Sequence, residues 1–97
     1  MTPQPDLPTV EWEARLVQRL AAGDEQALED LYDQYAPHVY GLAYRVTGDS
    51  GAAEQITVEV LASTWASASS FQPGASLRAY LSMKAHELAA ERVRDTG

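Results

Sequence analysis

The chain has 97 residues, no cysteine, two histidines and a formal charge of −7, which bounds it to one small domain with a single core and no cleft between domains. The absence of cysteine excludes a disulfide framework and a thiolate metal site and suits a reducing cytoplasm. Because His38 and His86 lack partners at metal-ligand spacing, neither a metal nor another cofactor is expected. Residues 1–50 carry nine acids against three arginines, whereas residues 51–97 carry five acids against Arg78, Lys84, Arg92 and Arg94. This balance disfavours general affinity for duplex DNA and suits a basic protein partner.

The opening Met1-Thr2-Pro3-Gln4-Pro5-Asp6-Leu7-Pro8 has no positive cluster and no apolar run, so residues 1–9 read as a disordered lead-in and not as a signal peptide. A single helical domain is expected over residues 10–95. Its first helix spans about Val10 to Ala22 on a stripe of Val10, Leu16, Val17 and Leu20, and Gly23-Asp24 ends it and caps the next. The second helix is the clearest: Leu28, Leu31, Tyr32, Tyr35, Val39, Leu42, Ala43 and Val46 recur at three- and four-residue steps. Pro37 falls inside this stripe and removes one backbone donor, which predicts a bend near Tyr35-Ala36.

Gly48 closes the second helix and Asp49 or Ser50 caps the third, whose inner face would hold Ala53, Ile56, Val60, Thr64 and Trp65. The serine-rich stretch Ala66 to Ser70 weakens its end, and Phe71-Gln72-Pro73-Gly74 reads as a loop. Ser76 caps a fourth helix carrying Leu77, Tyr80, Leu81, Ala85 and Leu88 to about Val93. No stretch alternates with period two, so the expected fold is all-α, a single compact bundle of about four helices. No window approaches the roughly 20 apolar residues of a spanning helix, and no membrane association is expected. No carboxylate stands beside a nucleophile or histidine in a catalytic pattern, so the chain does not read as an enzyme.

From about Leu16 to Arg94 the order of these pieces resembles region 2 of the extracytoplasmic-function sigma factors, the promoter-specificity subunits of bacterial RNA polymerase. The resemblance is carried by Gly23-Asp24-Glu25-Gln26-Ala27-Leu28-Glu29-Asp30-Leu31-Tyr32-Asp33-Gln34-Tyr35, by Val39-Tyr40-Gly41-Leu42-Ala43 with Arg45 and Gly48-Asp49, by Ala53-Glu54 through Glu59 to Trp65, and by Phe71-Gln72-Pro73 and Arg78-Ala79-Tyr80-Leu81. It implies a cytoplasmic module of transcription initiation. Such a module docks on the clamp helices of the largest polymerase subunit and engages the opened non-template strand of the minus-ten promoter element.

On that resemblance Glu54, Gln55 and Glu59 fall in the polymerase-binding part, where an acidic face against a basic partner supplies steering and register. Phe71, Gln72, Arg78, Tyr80, Lys84 and His86 fall in the part that holds an unstacked base, where a ring and a cation are useful. The chain departs from the family pattern at Ala52, Gln55 and Val58, at Ser63, and at His86-Glu87-Leu88, where a negative charge stands near the expected phosphate path. It also stops at Asp95-Thr96-Gly97, where a complete member continues into a second domain. A second reading therefore stays open: a sigma-like protein-interaction domain that binds an anti-sigma factor or another regulator without reading a promoter.

Single residues keep two readings as well. Tyr32, Tyr35 and Trp65 suit core packing as well as base stacking. Phe71 either plugs the end of the bundle or meets a base. Glu54 and Glu59 are either a docking face or the solvated side of an amphipathic helix.

Overall fold

The computed structural model describes residues 10–71 and 76–96. Among these residues four α-helices follow one another: α1 Val10–Ala21, α2 Glu25–Thr47, α3 Ser50–Ser67 and α4 Leu77–Thr96, with a 3-10 turn, Ala68–Ser70, extending α3. Among the described residues there is no strand, and no helix is long and apolar enough to cross a membrane. The expectations for residues 1–9 and for the Gln72-Pro73-Gly74 loop lie outside the described residues.

The helix ends follow the sequence closely. After α1, Gly23 takes a left-handed conformation at φ 82°, its N–H donates to the Leu20 carbonyl and the Asp24 N–H reaches back to Arg19, which closes a Schellman turn. Asp24 then caps α2 by accepting the Gln26 N–H at 2.9 Å. The Arg19 guanidinium bridges Asp24 and Asp30, both at 3.0 Å, and holds this corner. The Arg19 hydrogen bond lowers the Asp24 pKa below its ordinary value, and the same pairing raises that of Arg19.

Gly48, at φ 65°, ends α2, and its N–H donates to the Tyr44 carbonyl. Asp49, rather than Ser50, caps α3 through the Ala52 N–H at 3.1 Å. Asp49→Ala is expected to cost about 1 kcal/mol of stability, read as a shift in the urea midpoint without a change in slope. Ser76 caps α4 through the Ala79 N–H at 3.1 Å.

α2 packs on both α3 and α4, which also meet each other, while α1 lies against α2 and the 3-10 turn. The fully buried side chains are Leu16 and Leu20 from α1, Leu31, Tyr35 and Val39 from α2, Ile56, Val60, Leu61 and Thr64 from α3, and Leu77 and Leu81 from α4. Alanines fill the tighter contacts at Ala27, Ala43, Ala53, Ala85 and Ala89. α3 buries a wider arc than its predicted stripe, taking in Leu61 and Thr57, because neighbours flank it on more than one side. Its buried hydroxyls are satisfied locally: Thr57 and Thr64 donate to the Ala53 and Val60 carbonyls at 2.7 and 2.8 Å.

Several expected core positions sit elsewhere. Val46 is 37 % exposed, because the buried positions of α2 step by four through Leu31, Tyr35, Val39 and Ala43, which leaves Val46 on the flank of the stripe. Leu28, Tyr32, Leu42, Trp65, Tyr80 and Leu88 are half-buried flank residues packed against the core, and Ala89 takes the central place expected near Leu88. Pro37 does not break α2, which runs unbroken from Glu25 to Thr47. Among the tyrosines, Tyr35 is core, while Tyr40 stacks on Tyr44 with ring centroids 6.1 Å apart and planes 6° from parallel.

Candidate functional site

The outer face of α3 is built by exclusion: Ala53, Ile56, Thr57, Val60, Leu61 and Thr64 turn inward, so Glu54, Gln55, Val58, Glu59 and Ala62 are left in solvent. All three residues assigned to docking are therefore exposed. They are not equivalent, however. Arg92 of α4 donates to the Gln55 side-chain oxygen at 3.1 Å and stands 3.8 Å from the Glu59 carboxylate, so the Glu59 side of the face is shared with an internal cation. Steps of 100° per residue put Glu54 and Glu59 on opposite flanks of this face, with Val58, 54 % exposed, between them.

The strand-binding candidates divide into three groups. Phe71 and Tyr80 come together, with ring centroids 4.9 Å apart at 65°, an edge-to-face pair. The Tyr80 hydroxyl lies 3.3 Å from the Ser63 hydroxyl of α3. Phe71 also lines a small void together with Val17, Leu20, Thr64, Ala68 and Leu77 at the end of the bundle, and it is half-buried against the core there. Arg78 leans to the other flank of α4, where its Nη2 is 3.5 Å from His38 Nδ1 on α2. Lys84 pairs with Glu87 at 3.5 Å, and His86 is exposed on the outward side of α4 beside a shallow depression lined in part by Met83, Ala90 and Arg94. Gln72 lies outside the described residues.

The structure thus brings two of the six candidates into contact and spreads Arg78, Lys84 and His86 around the helix. No group of three His, Cys, Asp or Glu that could hold a metal occurs among the described residues.

Three contacts beside the candidate sites have no signal in the sequence. His38 Nε2 is 2.9 Å from the Ser82 hydroxyl while Nδ1 faces Arg78. A guanidinium can only donate, so Nδ1 accepts and the ring proton sits on Nε2. Burial lowers the His38 pKa, and the neighbouring Arg78 and Arg45 charges lower it further. The folded state therefore favours the neutral ring. The unfolded chain binds more protons between the ordinary value of 6.5 and the lowered folded value, so stability is fully present above about pH 6.5 and falls as the pH drops through that window. Chemical denaturation at several pH values is expected to show this decline, and His38→Gln is expected to flatten it.

The second contact is Glu13. Its Oε2 accepts the hydroxyl of fully buried Tyr35 at 2.7 Å, and its Oε1 accepts the Leu77 N–H at 3.1 Å. Burial, and then the Glu13 carboxylate, push the Tyr35 hydroxyl well above its ordinary pKa. The third is Arg92, whose place near a helix end suggests stabilisation of the helix dipole, yet which reaches Gln55 and Glu59 on α3. Glu13 and Leu77 are 64 positions apart, and no local pattern announces such a pair.

The Sigma-70 region 2 family matches residues 31–97 of the chain. The chain is also 39% identical over 80 residues to the ECF RNA polymerase sigma factor SigK of Mycobacterium bovis and to that of Mycobacterium tuberculosis, an alignment covering 81% of this chain and 43% of each relative. SigK of Mycobacterium sp. strain KMS is 39% identical over 80 residues, with 42% of its length covered. The chain thus spans less than half the length of the curated relatives it matches. No solved structure matches it.

Proposed function

Since the chain belongs to the Sigma-70 region 2 family, in its extracytoplasmic-function branch, we propose that it acts in transcription initiation by docking on RNA polymerase and engaging the opened minus-ten strand. The observation that carries this reading is the solvent-facing side of α3, where Glu54, Gln55 and Glu59 all stand free of the core within the matched stretch. An acidic helix face suits a basic coiled-coil surface such as the clamp helices of the largest polymerase subunit, where charge sets orientation and encounter rate.

The strand would be met at the junction of α3 and α4. There Phe71 and Tyr80 offer aromatic surface, and Arg78 on the other flank of α4 offers a cation, the two kinds of group that hold a single strand. Lys84, His86 and Gln72 are assigned supporting contacts with the backbone. The test is retention of a labelled single-stranded DNA pool with a randomised core, measured with and without core polymerase. Polymerase-dependent retention, weakened by Phe71→Ala and Arg78→Ala, supports the reading; absence of retention counts against it.

A second reading has a specific observation behind it. Arg78 is engaged with His38, Lys84 with Glu87, and the cations do not converge on one groove. A module that binds polymerase or an anti-sigma factor through protein contacts alone fits that dispersal. Polymerase or anti-sigma binding without any strand retention would favour it.

A further inference from the structure

Both ends of the connection between α3 and α4 are held by the same helix, α1, which lies ahead of the family-matched stretch. At one end, Phe71 lines a small void with Val17 and Leu20 of α1. At the other, Glu13 of α1 accepts the N–H of Leu77, the first residue of α4.

That N–H is one of the donors a helix start leaves without an internal partner. Ser76 satisfies the Ala79 N–H from within the connection, so Leu77 depends on a residue from elsewhere in the chain. The Glu13 carboxylate also places a negative charge at the positive end of the α4 dipole. Tyr35 donates to the other carboxylate oxygen from the core. One side chain thereby locks three helices at the point from which Arg78 and Tyr80 project.

We infer that Glu13 is a positioning residue for strand capture: through the Leu77 N–H it sets the first turn of α4, and together with Val17 and Leu20 beside Phe71 it fixes the geometry between Phe71, Arg78 and Tyr80. This rests on the strand-binding reading for its functional half. It separates the module into a docking face on α3, which Glu13 does not touch, and a capture site that α1 holds in register.

The experiment compares Glu13→Ala, Glu13→Gln and Tyr35→Phe in the full chain by amide hydrogen exchange, core polymerase binding and retention of the randomised single-stranded pool. Glu13→Ala is expected to speed exchange at Leu77 by about tenfold or more relative to core amides such as Leu31 and Leu61. It is expected to lower strand retention by roughly tenfold with polymerase binding within about twofold. Glu13→Gln keeps an acceptor for Leu77 and is expected to restore most of both.

Tyr35→Phe provides the stability reference, since it removes the other bond and leaves the cap. Equal losses of strand retention in Tyr35→Phe and Glu13→Ala at matched thermal stability would overturn the inference. Uniform acceleration of exchange across the core in Glu13→Ala, or none at Leu77, would overturn it too. If the unaltered protein retains no strand, the strand-binding reading fails, and the exchange comparison still decides whether Glu13 fixes the start of α4.

Discussion

Replacing Glu54 and Glu59 together by lysine is expected to weaken binding to core RNA polymerase by about 10- to 100-fold. Each exposed carboxylate contributes only about 0.2–1 kcal/mol in an ordinary surface pair. Reversal does more than delete, because it sets two cations against a basic partner, and like charges at an interface carry a larger penalty than lost attraction. The loss should shrink as salt rises, since both the original attraction and the new repulsion are screened.

The Glu59→Lys half of this change would also set a cation against Arg92, which stands near Glu59 in the fold. The double charge-neutral variant Glu54→Gln with Glu59→Gln separates that internal conflict from the interface, and is expected to lose only a few-fold. Titration of labelled protein with core enzyme measures all three. Unchanged affinity in the lysine variant would remove this face from the docking assignment.

Leu61→Ala is expected to cost about 2–5 kcal/mol. The side chain is fully buried on α3, and a cavity there would be shared by helices that cannot close in independently. A domain of this size has about 5–15 kcal/mol of stability in total, so the melting temperature should fall by at least about 10 °C. Val58→Ala, three residues earlier on the same helix but 54 % exposed, is expected to stay within about 0.5 kcal/mol of the parent. That contrast isolates burial from helix propensity, because both changes place alanine in α3. Similar effects for the two would contradict the inward rotation of α3.

What the sequence discloses here is what short-range physics controls. Gly23-Asp24, Gly48-Asp49 and Ser76 state their roles in the chain itself, since a left-handed glycine and a side-chain cap act within a few residues. The period of Leu31, Tyr35, Val39 and Ala43 likewise needs only one helix to be read. The exposure of Glu54, Gln55 and Glu59 follows from the same periodicity on α3.

The remainder is set by which helices meet. Leu61 and Thr57 become core because α3 has neighbours on more than one side, and Val46 stays on the flank because α2 meets its neighbours along Leu31, Tyr35, Val39 and Ala43. Arg92 turns to Gln55 and Glu59, and Glu13 to Tyr35 and Leu77, through contacts that exist only after the helices are docked. For the candidate strand site the residue types are evident in the chain, whereas their partition around α4 is a property of the assembled bundle.

Pro37 gives α2 a further property. Its missing N–H leaves the Asp33 carbonyl without its usual helical partner, and both residues are exposed, so water can take that place. The notch falls between two bonds that tie α2 to its neighbours, Tyr35 to Glu13 on one side and His38 to Ser82 on the other. These cross-ties act as splints over a weak rung, so bending of α2 at this joint would have to stretch one of them.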